Sequence, residues 1–371
     1  MSVGARLGIG FELKDFILSI AAGGSILAVY TGVLGYIGCK TGLGFDHLAR
    51  HAFGRYGSFL PSLMIMLTQF GWFGVGVAMF AVPSSEVIGC SKWILILAAG
   101  ICMTSSAYFG IKGMEIVSYI SVPLILILGL YSVADASLSE GLVSLFGKDV
   151  ETITLFQGIG LVVGSFISGG TTTPNFSRFC NRTKSAVIAT VVAFLIGNSI
   201  MFIFGAVGGI LTGKDDIFYV MIAQGLTTHA LIVLGANVWT TNDNALYSGA
   251  LGLSNITKIP KRPLVLIGGA AGTLLSLWLY SNFVDWLNIL NASLPPVGAV
   301  IIADYFLHRE DYSEDESTVR NVNPSSVAGV AAGSLTGIIV PWGIASVNAM
   351  AVAVLVYLAG SFLFLKVKVA R

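Results

Sequence analysis

Apolar residues run along this chain in stretches of about twenty, the length a helix needs to cross hydrocarbon, with short polar or charged turns between them. Eleven such stretches are centred near Leu27, Phe70, Gly100, Ile125, Val163, Leu195, Gly235, Gly272, Val300, Leu335 and Leu355. They fill the chain, so the pattern predicts an all-α integral membrane protein with no soluble domain. The longest gaps, Ser137–Glu151 and His308–Pro324, are charged loops. One bundle covering 1–371 is the simplest organisation.

Three interruptions in this pattern carry the chemistry. In the fifth stretch, Ser165-Phe166-Ile167-Ser168-Gly169-Gly170-Thr171-Thr172-Thr173-Pro174 is rich in glycine and hydroxyls. Backbone that leaves helical geometry at membrane depth persists only inside protein or beside a water-filled cavity, and such broken helices mark transporter sites. The break predicts a discontinuous helix around 165–174, with Phe166 and Ser168 flanking the point where helical bonding fails. A plain proline kink at Pro174 is the competing reading.

In the second stretch, Gln69 and Trp72 stand three residues apart and project from one helix face. An amide beside an indole suits a planar ligand with a polar edge; aromatic packing against glycine-lined helix contacts accounts for the same residues. The seventh stretch holds a polar run, with Asn237, Thr240, Thr241, Asn244 and Ser248 on one predicted face. Neutral oxygens at this spacing can replace the hydration shell of sodium, or they can bond between helices. Asp243, an acid within the same stretch, is a functional candidate by its position; a satisfied structural acid is the alternative.

Composition agrees with the pattern. Of 371 residues, 55% are hydrophobic and 11% charged, and mean hydropathy is +0.85. A net charge of +1 with scattered basic residues gives no sign of nucleic-acid binding. Cys39, Cys90, Cys102 and Cys180 lie far apart, and no metal, phosphate-loop or nucleophile motif joins the four histidines. An enzyme is not expected.

Fifteen of the twenty Lys and Arg fall after odd-numbered stretches or in the C-terminal tail. The positive-inside rule makes those loops and the C-terminus cytoplasmic in a multi-pass protein of the cell (inner) membrane. The first complete span then begins outside. Residues 1–11 therefore read as the remnant of an earlier helix, Ser2 to Gly10, whose front is missing. The expected parent has twelve spans, broken in its first and sixth.

Several segments, taken in chain order, closely resemble the nucleobase-cation symporter family, and within it the carriers of cytosine. They are GYIGCKTGLGFDHLARHAFGRYGSFLPS from Gly35, TQFGWFGVGVAMFAVP from Thr68, VVGSFISGGTTTPNFSRF from Val162, NVWTTNDNALYSGALGLSNIT from Asn237 and NASLPPVGAVIIADY from Asn291. The resemblance implies a five-helix inverted-repeat transporter fold. Residues 12–134 complete the first repeat, 152–307 form the second, and 325–366 add two C-terminal spans. It further implies that Trp72 and Phe166 sandwich a pyrimidine ring, that Gln69 bonds its polar edge and that Ser168 contributes its backbone or hydroxyl. Asn237, Thr240 and Thr241 are implied to bind sodium, the coupling ion, with no other cofactor. The expected function is sodium-coupled symport of a nucleobase, foremost cytosine, by a monomer in the lipid bilayer. The alternatives are a symporter of another planar heterocycle (hydantoin, purine or thiamin precursor), and a truncated non-transporting remnant or membrane nucleobase sensor.

Overall fold

The computed structural model describes residues 2–140, 146, 153–212, 222, 225, 227–313, 317 and 319–369. Its elements run α1 (Ser2–Gly10), α2 (Leu13–Thr41), a short α3 (Phe45–Phe53), α4 (Phe59–Ile88), α5 (Lys92–Phe109) and α6 (Ile111–Glu140). They continue with α7 (Leu155–Thr171), a one-turn α8 (Pro174–Ser177), α9 (Thr183–Val191), a π-helical turn (Val192–Gly197) and α10 (Asn198–Thr212). The last five are α11 (Thr227–Thr257), α12 (Lys261–Ser281), α13 (Phe283–Leu307), α14 (Pro324–Ile339) and α15 (Ala345–Val369). Counting α7–α8 and α9–α10 as single rods, each of the eleven apolar stretches became one rod.

Among the described residues, eight helices are long and apolar enough to cross a membrane. The remaining three rods depart from that rule for separate reasons. Helix α11 carries the polar run, while α13 and α14 contribute shorter apolar lengths, Ala292–Leu307 and Pro324–Ile339. Local chemistry sets the ends. Gly42 and Gly89 close α2 and α4 in the left-handed conformation, at φ 72° and 73°, which a side chain resists. A capping box opens α7, where Thr154 Oγ1 accepts from the Gln157 backbone and Gln157 Oε1 accepts from the Thr154 backbone at 3.0 Å. Of the predicted loop Ser137–Glu151, residues 141–145 and 147–151 lie outside the described set.

Helix contacts fall into two groups. In one, α2 packs on α7, α8 and α9, and α1 packs on α10; in the other, α4 packs on α11, α12 and α5. Helices α6 and α13 touch both groups, and α14 and α15 close on α13. Small residues allow the close approaches: a Cβ on Gly38 would lie 2.8 Å from the Pro174 backbone, and one on Gly252 would lie 2.7 Å from the Ser62 carbonyl. Outward faces carry exposed Ile101, Ile120, Leu274 and Ile338, which suits contact with lipid tails.

Basic residues gather at one end of the bundle. Arg50 donates to Asn255 at 2.7 Å, the Arg55 backbone to the Arg320 carbonyl at 2.8 Å, and Arg309 to the Tyr36 hydroxyl at 3.2 Å. Lys261 lies 4.1 Å from the Tyr247 ring centre. Helix α3 is pinned here: Ser62 donates to Asp46 at 2.6 Å, and Asn255 donates to Ser62 at 2.8 Å. Burial raises the Asp46 carboxyl above the usual range, against the lowering effects of Ser62, His47, Arg50 and Arg178. Nearby, Tyr312 and Tyr357 donate to Asp304 at 2.6 and 2.5 Å, tying α15 and the segment after α13 to α13.

Candidate functional site

A cavity of about 600 Å³ opens between the two groups. Helix α4 supplies Gln69, Trp72, Gly76 and Met79 to its wall; α7 supplies Ser165, Phe166 and Ser168. The α9–α10 rod adds Thr190 and Phe194, and α11 adds Asn237, Thr240, Thr241 and Asn244. Phe176, Ser177 and Cys180 continue the lining toward the basic end.

The seven residues that the resemblance assigns to substrate and sodium, Gln69, Trp72, Phe166, Ser168, Asn237, Thr240 and Thr241, line this one cavity. Gln69 is only 4% exposed, and its Nε2 has no hydrogen-bond partner among the described residues. A buried amide N–H without a partner is costly and suits a ligand's acceptor. Trp72 packs partly on the apolar cluster of α2, α7 and α13, so its packing and cavity-lining readings both hold.

The break falls inside the predicted 165–174 segment, at its C-terminal end. Helical geometry continues through Phe166 and Ser168 to Thr171, so these two residues do not flank the failure point. Pro174 lacks an N–H, and the Gly170 carbonyl instead accepts from Thr173 at 3.2 Å; Asn175 then donates to Thr172 at 2.9 Å. The chain bends at Thr172–Thr173 and resumes as α8. Phe166 is 39% exposed, its ring edge-on to Phe194 at 6.3 Å. Ser168 is buried. One turn on, the Thr171 hydroxyl bonds the Ile167 carbonyl at 2.7 Å and meets the Tyr30 hydroxyl at 2.8 Å.

On α11, the hydroxyls of Thr240 and Thr241 donate to the Asn237 carbonyl at 2.8 and 3.1 Å. Their protons are thereby engaged, leaving oxygen lone pairs for the cavity, the hard neutral donors that a small cation takes. The predicted five-residue face is shorter than expected. Asn244 reaches the cavity, but Ser248 is buried outside it, where Gly249 and Gly252 bring α11 against α4. Asp243 also turns away from the cavity, toward α5.

A sequence model of permeases for cytosine/purines, uracil, thiamine and allantoin matches residues 1–360. The chain belongs to this family. It is a membrane permease and not an enzyme. It is 47% identical to the cytosine permease of Escherichia coli strain K12 over 96% of this chain and 86% of that protein. The hydantoin permease of Microbacterium maritypicum is 25% identical, over 81% of this chain and 68% of that one. Among solved structures, Mhp1, a nucleobase-cation-symport-1 family transporter in a closed conformation with bromovinylhydantoin bound, superposes with a TM-score of 0.82 at 22% identity. That match covers 98% of this chain and 89% of Mhp1. An inward-facing conformation of Mhp1 gives 0.81 at 21% identity. These likenesses establish an inverted-repeat transporter fold for this family member.

Several lining residues escaped the sequence reading. Phe194 stands in the π-helical turn of the α9–α10 rod; a π-turn at a cavity is a common functional device, but VAFLIG reads as ordinary apolar helix. Phe176 lies just past the predicted break. Its proximity to Pro174 was the available signal.

Proposed function

We propose that this permease carries cytosine into the cell together with sodium, by alternating access. The observation that carries the reading is Gln69 Nε2, without a hydrogen-bond partner among the described residues, in a cavity that Trp72 and the exposed ring of Phe166 also line. The pyrimidine stacks between Trp72 and Phe166, Gln69 Nε2 donates to an acceptor on its edge, and Ser168 contributes from α7. Sodium is held by Thr240, Thr241 and Asn237, and its charge favours the arrangement in which the two groups close on the base. The near-half identity to a cytosine permease supports cytosine over other family substrates. A site that satisfies an amino and amide edge rejects a base presenting different donors, because its own buried groups are left unpaired.

The test is uptake of labelled cytosine by proteoliposomes under an imposed sodium gradient. Sodium-driven accumulation, competed poorly by uracil and by hydantoin, is expected. Equal accumulation with potassium replacing sodium would remove the coupling assignment, and stronger competition by a hydantoin or purine would move the substrate to that class.

A further inference from the structure

Helix α11 presents two faces. Asn237, Thr240, Thr241 and Asn244 line the cavity. The residues two places further on, Trp239, Asn242, Asp243 and Leu246, lie about 200° round the helix and meet α4 and α5. One turn of α5 supplies most of the polar contacts at this rear face. Ser106, buried on α5, donates its hydroxyl hydrogen to Asp243 Oδ1 at 2.5 Å, and its oxygen accepts the Trp239 indole N–H at 2.7 Å. Three residues earlier, Met103 Sδ stands 3.1 Å from Asn242 Nδ2, which also donates to the Phe73 carbonyl of α4 at 3.1 Å.

A serine hydroxyl has one hydrogen to give and two positions to accept. Ser106 uses this to tie down two residues of α11 that flank Thr240 and Thr241 in the chain. The helix it stands on is itself held. Gly100 and Thr104 of α5 interlock with Thr273 and Gly269 of α12, since a Cβ on either glycine would collide with the opposing threonine side chain. Between membrane helices, close packing and interhelical hydrogen bonds take the place of the hydrophobic effect. The two directional bonds at Ser106 therefore resist rotation of α11 about its own axis. An oxygen about 5 Å from a helix axis moves about 0.9 Å for a turn of about 10°, beyond the roughly 0.5 Å that a ligand constellation tolerates.

We propose that Ser106 is a positioning residue for sodium. It does not meet the ion; it holds α11 at the rotation that presents Asn237, Thr240 and Thr241 to the cavity. This role rests on the sodium site proposed above, and it places a determinant of that site on a different helix, off the cavity lining.

Binding of radioactive sodium to the full chain in lipid nanodiscs, measured beside cytosine binding at saturating sodium, tests the proposal. Ser106→Ala should raise the sodium concentration for half-maximal binding about tenfold or more, with cytosine affinity at saturating sodium little changed. Trp239→Phe keeps a ring and removes the N–H donor, so it should weaken sodium binding in the same direction. The double variant should fall short of the product of the two single effects, because both remove the same bond. Ser105→Ala is the control: that hydroxyl donates to the Cys102 carbonyl of its own helix at 2.6 Å, and its loss should leave the sodium curve in place. A Ser106→Ala curve that coincides with wild type overturns the proposal, as does an equal shift in Ser105→Ala. Cytosine affinity that falls as far as sodium affinity also overturns it, since a general loosening of the fold would do the same. If Ser106→Ala is not recovered folded, Trp239→Phe decides on the same terms. A wild type that binds no sodium overturns the sodium reading and this role with it, whereas sodium binding that Ser106→Ala leaves unmoved overturns this role alone.

Discussion

At the scale of single residues, the cavity separates groups that serve the ligand from groups that serve the fold. Gln69 Nε2 has no hydrogen-bond partner among the described residues, and its side chain borders the cavity, so Gln69→Ala leaves no sealed void. We expect its melting temperature to stay within about 2 °C of wild type, while the cytosine KM rises about 10- to 100-fold, the cost of one unmet polar contact. Trp72→Ala should weaken cytosine binding by a similar factor through lost stacking, about 1–3 kcal/mol, measured by ligand titration. The threonines predict a different signature. Thr240→Val and Thr241→Val each remove a hydroxyl whose proton already goes to the Asn237 carbonyl. Each should raise the sodium concentration for half-maximal uptake at least about tenfold, with cytosine affinity at saturating sodium little changed. An unaltered sodium curve in both variants would take the ion away from α11. The types and spacing of these residues were plain in the sequence; the solitary state of the Gln69 amide was not, because it depends on what neighbouring helices fail to offer.

At the scale of elements, the bent α7–α8 rod is held from behind by α2 and α13. The Tyr30 hydroxyl meets Thr171 at 2.8 Å, and Gly298 of α13 leaves the space that hydroxyl occupies, since a Cβ there would collide with it. Gly298→Ala forces the ring, or α13, to move. Overpacking of this kind costs about 1–3 kcal/mol, and a melting temperature lowered by about 2–8 °C is the expected result. An unchanged melt would mean that Tyr30 does not brace the bend. The sequence placed the break within 165–174, where it lies, but put the failure point beside Phe166 and Ser168 and not at Thr172–Thr173. Glycine and hydroxyl content marks where a helix is able to open, whereas the missing N–H of Pro174, acting on the Gly170 carbonyl, sets where it does. The π-turn that brings Phe194 to Phe166 had no comparable marker, being one extra residue in a smooth apolar run.

At the scale of the whole molecule, two groups of helices face each other across the cavity, whose lining runs through Phe176, Ser177 and Cys180 toward the basic end. Cys180 lines the cavity and is exposed, whereas Arg178 reaches across to Tyr247 nearby at 3.3 Å. Closing the groups on a ligand should bury this thiol. In a variant keeping Cys180 alone, with Cys39, Cys90 and Cys102 changed to serine, sodium and cytosine together should slow maleimide labelling from the basic side about tenfold, a shift of about 1.4 kcal/mol in the open population. Labelling that ignores both ligands would exclude a closing movement at this mouth.

The sequence alone determined the class of molecule, the number of rods, the end that gathers positive charge and the residue types available for a planar base and a small cation. Those features follow from hydrophobic length, charge and helical period, all of them local properties. Tertiary structure alone decided which polar side chains meet. Thr240 and Asn244 face the cavity while Asp243 and Ser248, on the same helix, turn into packed protein, because rotation about a helix axis is fixed by its neighbours and not by its own sequence.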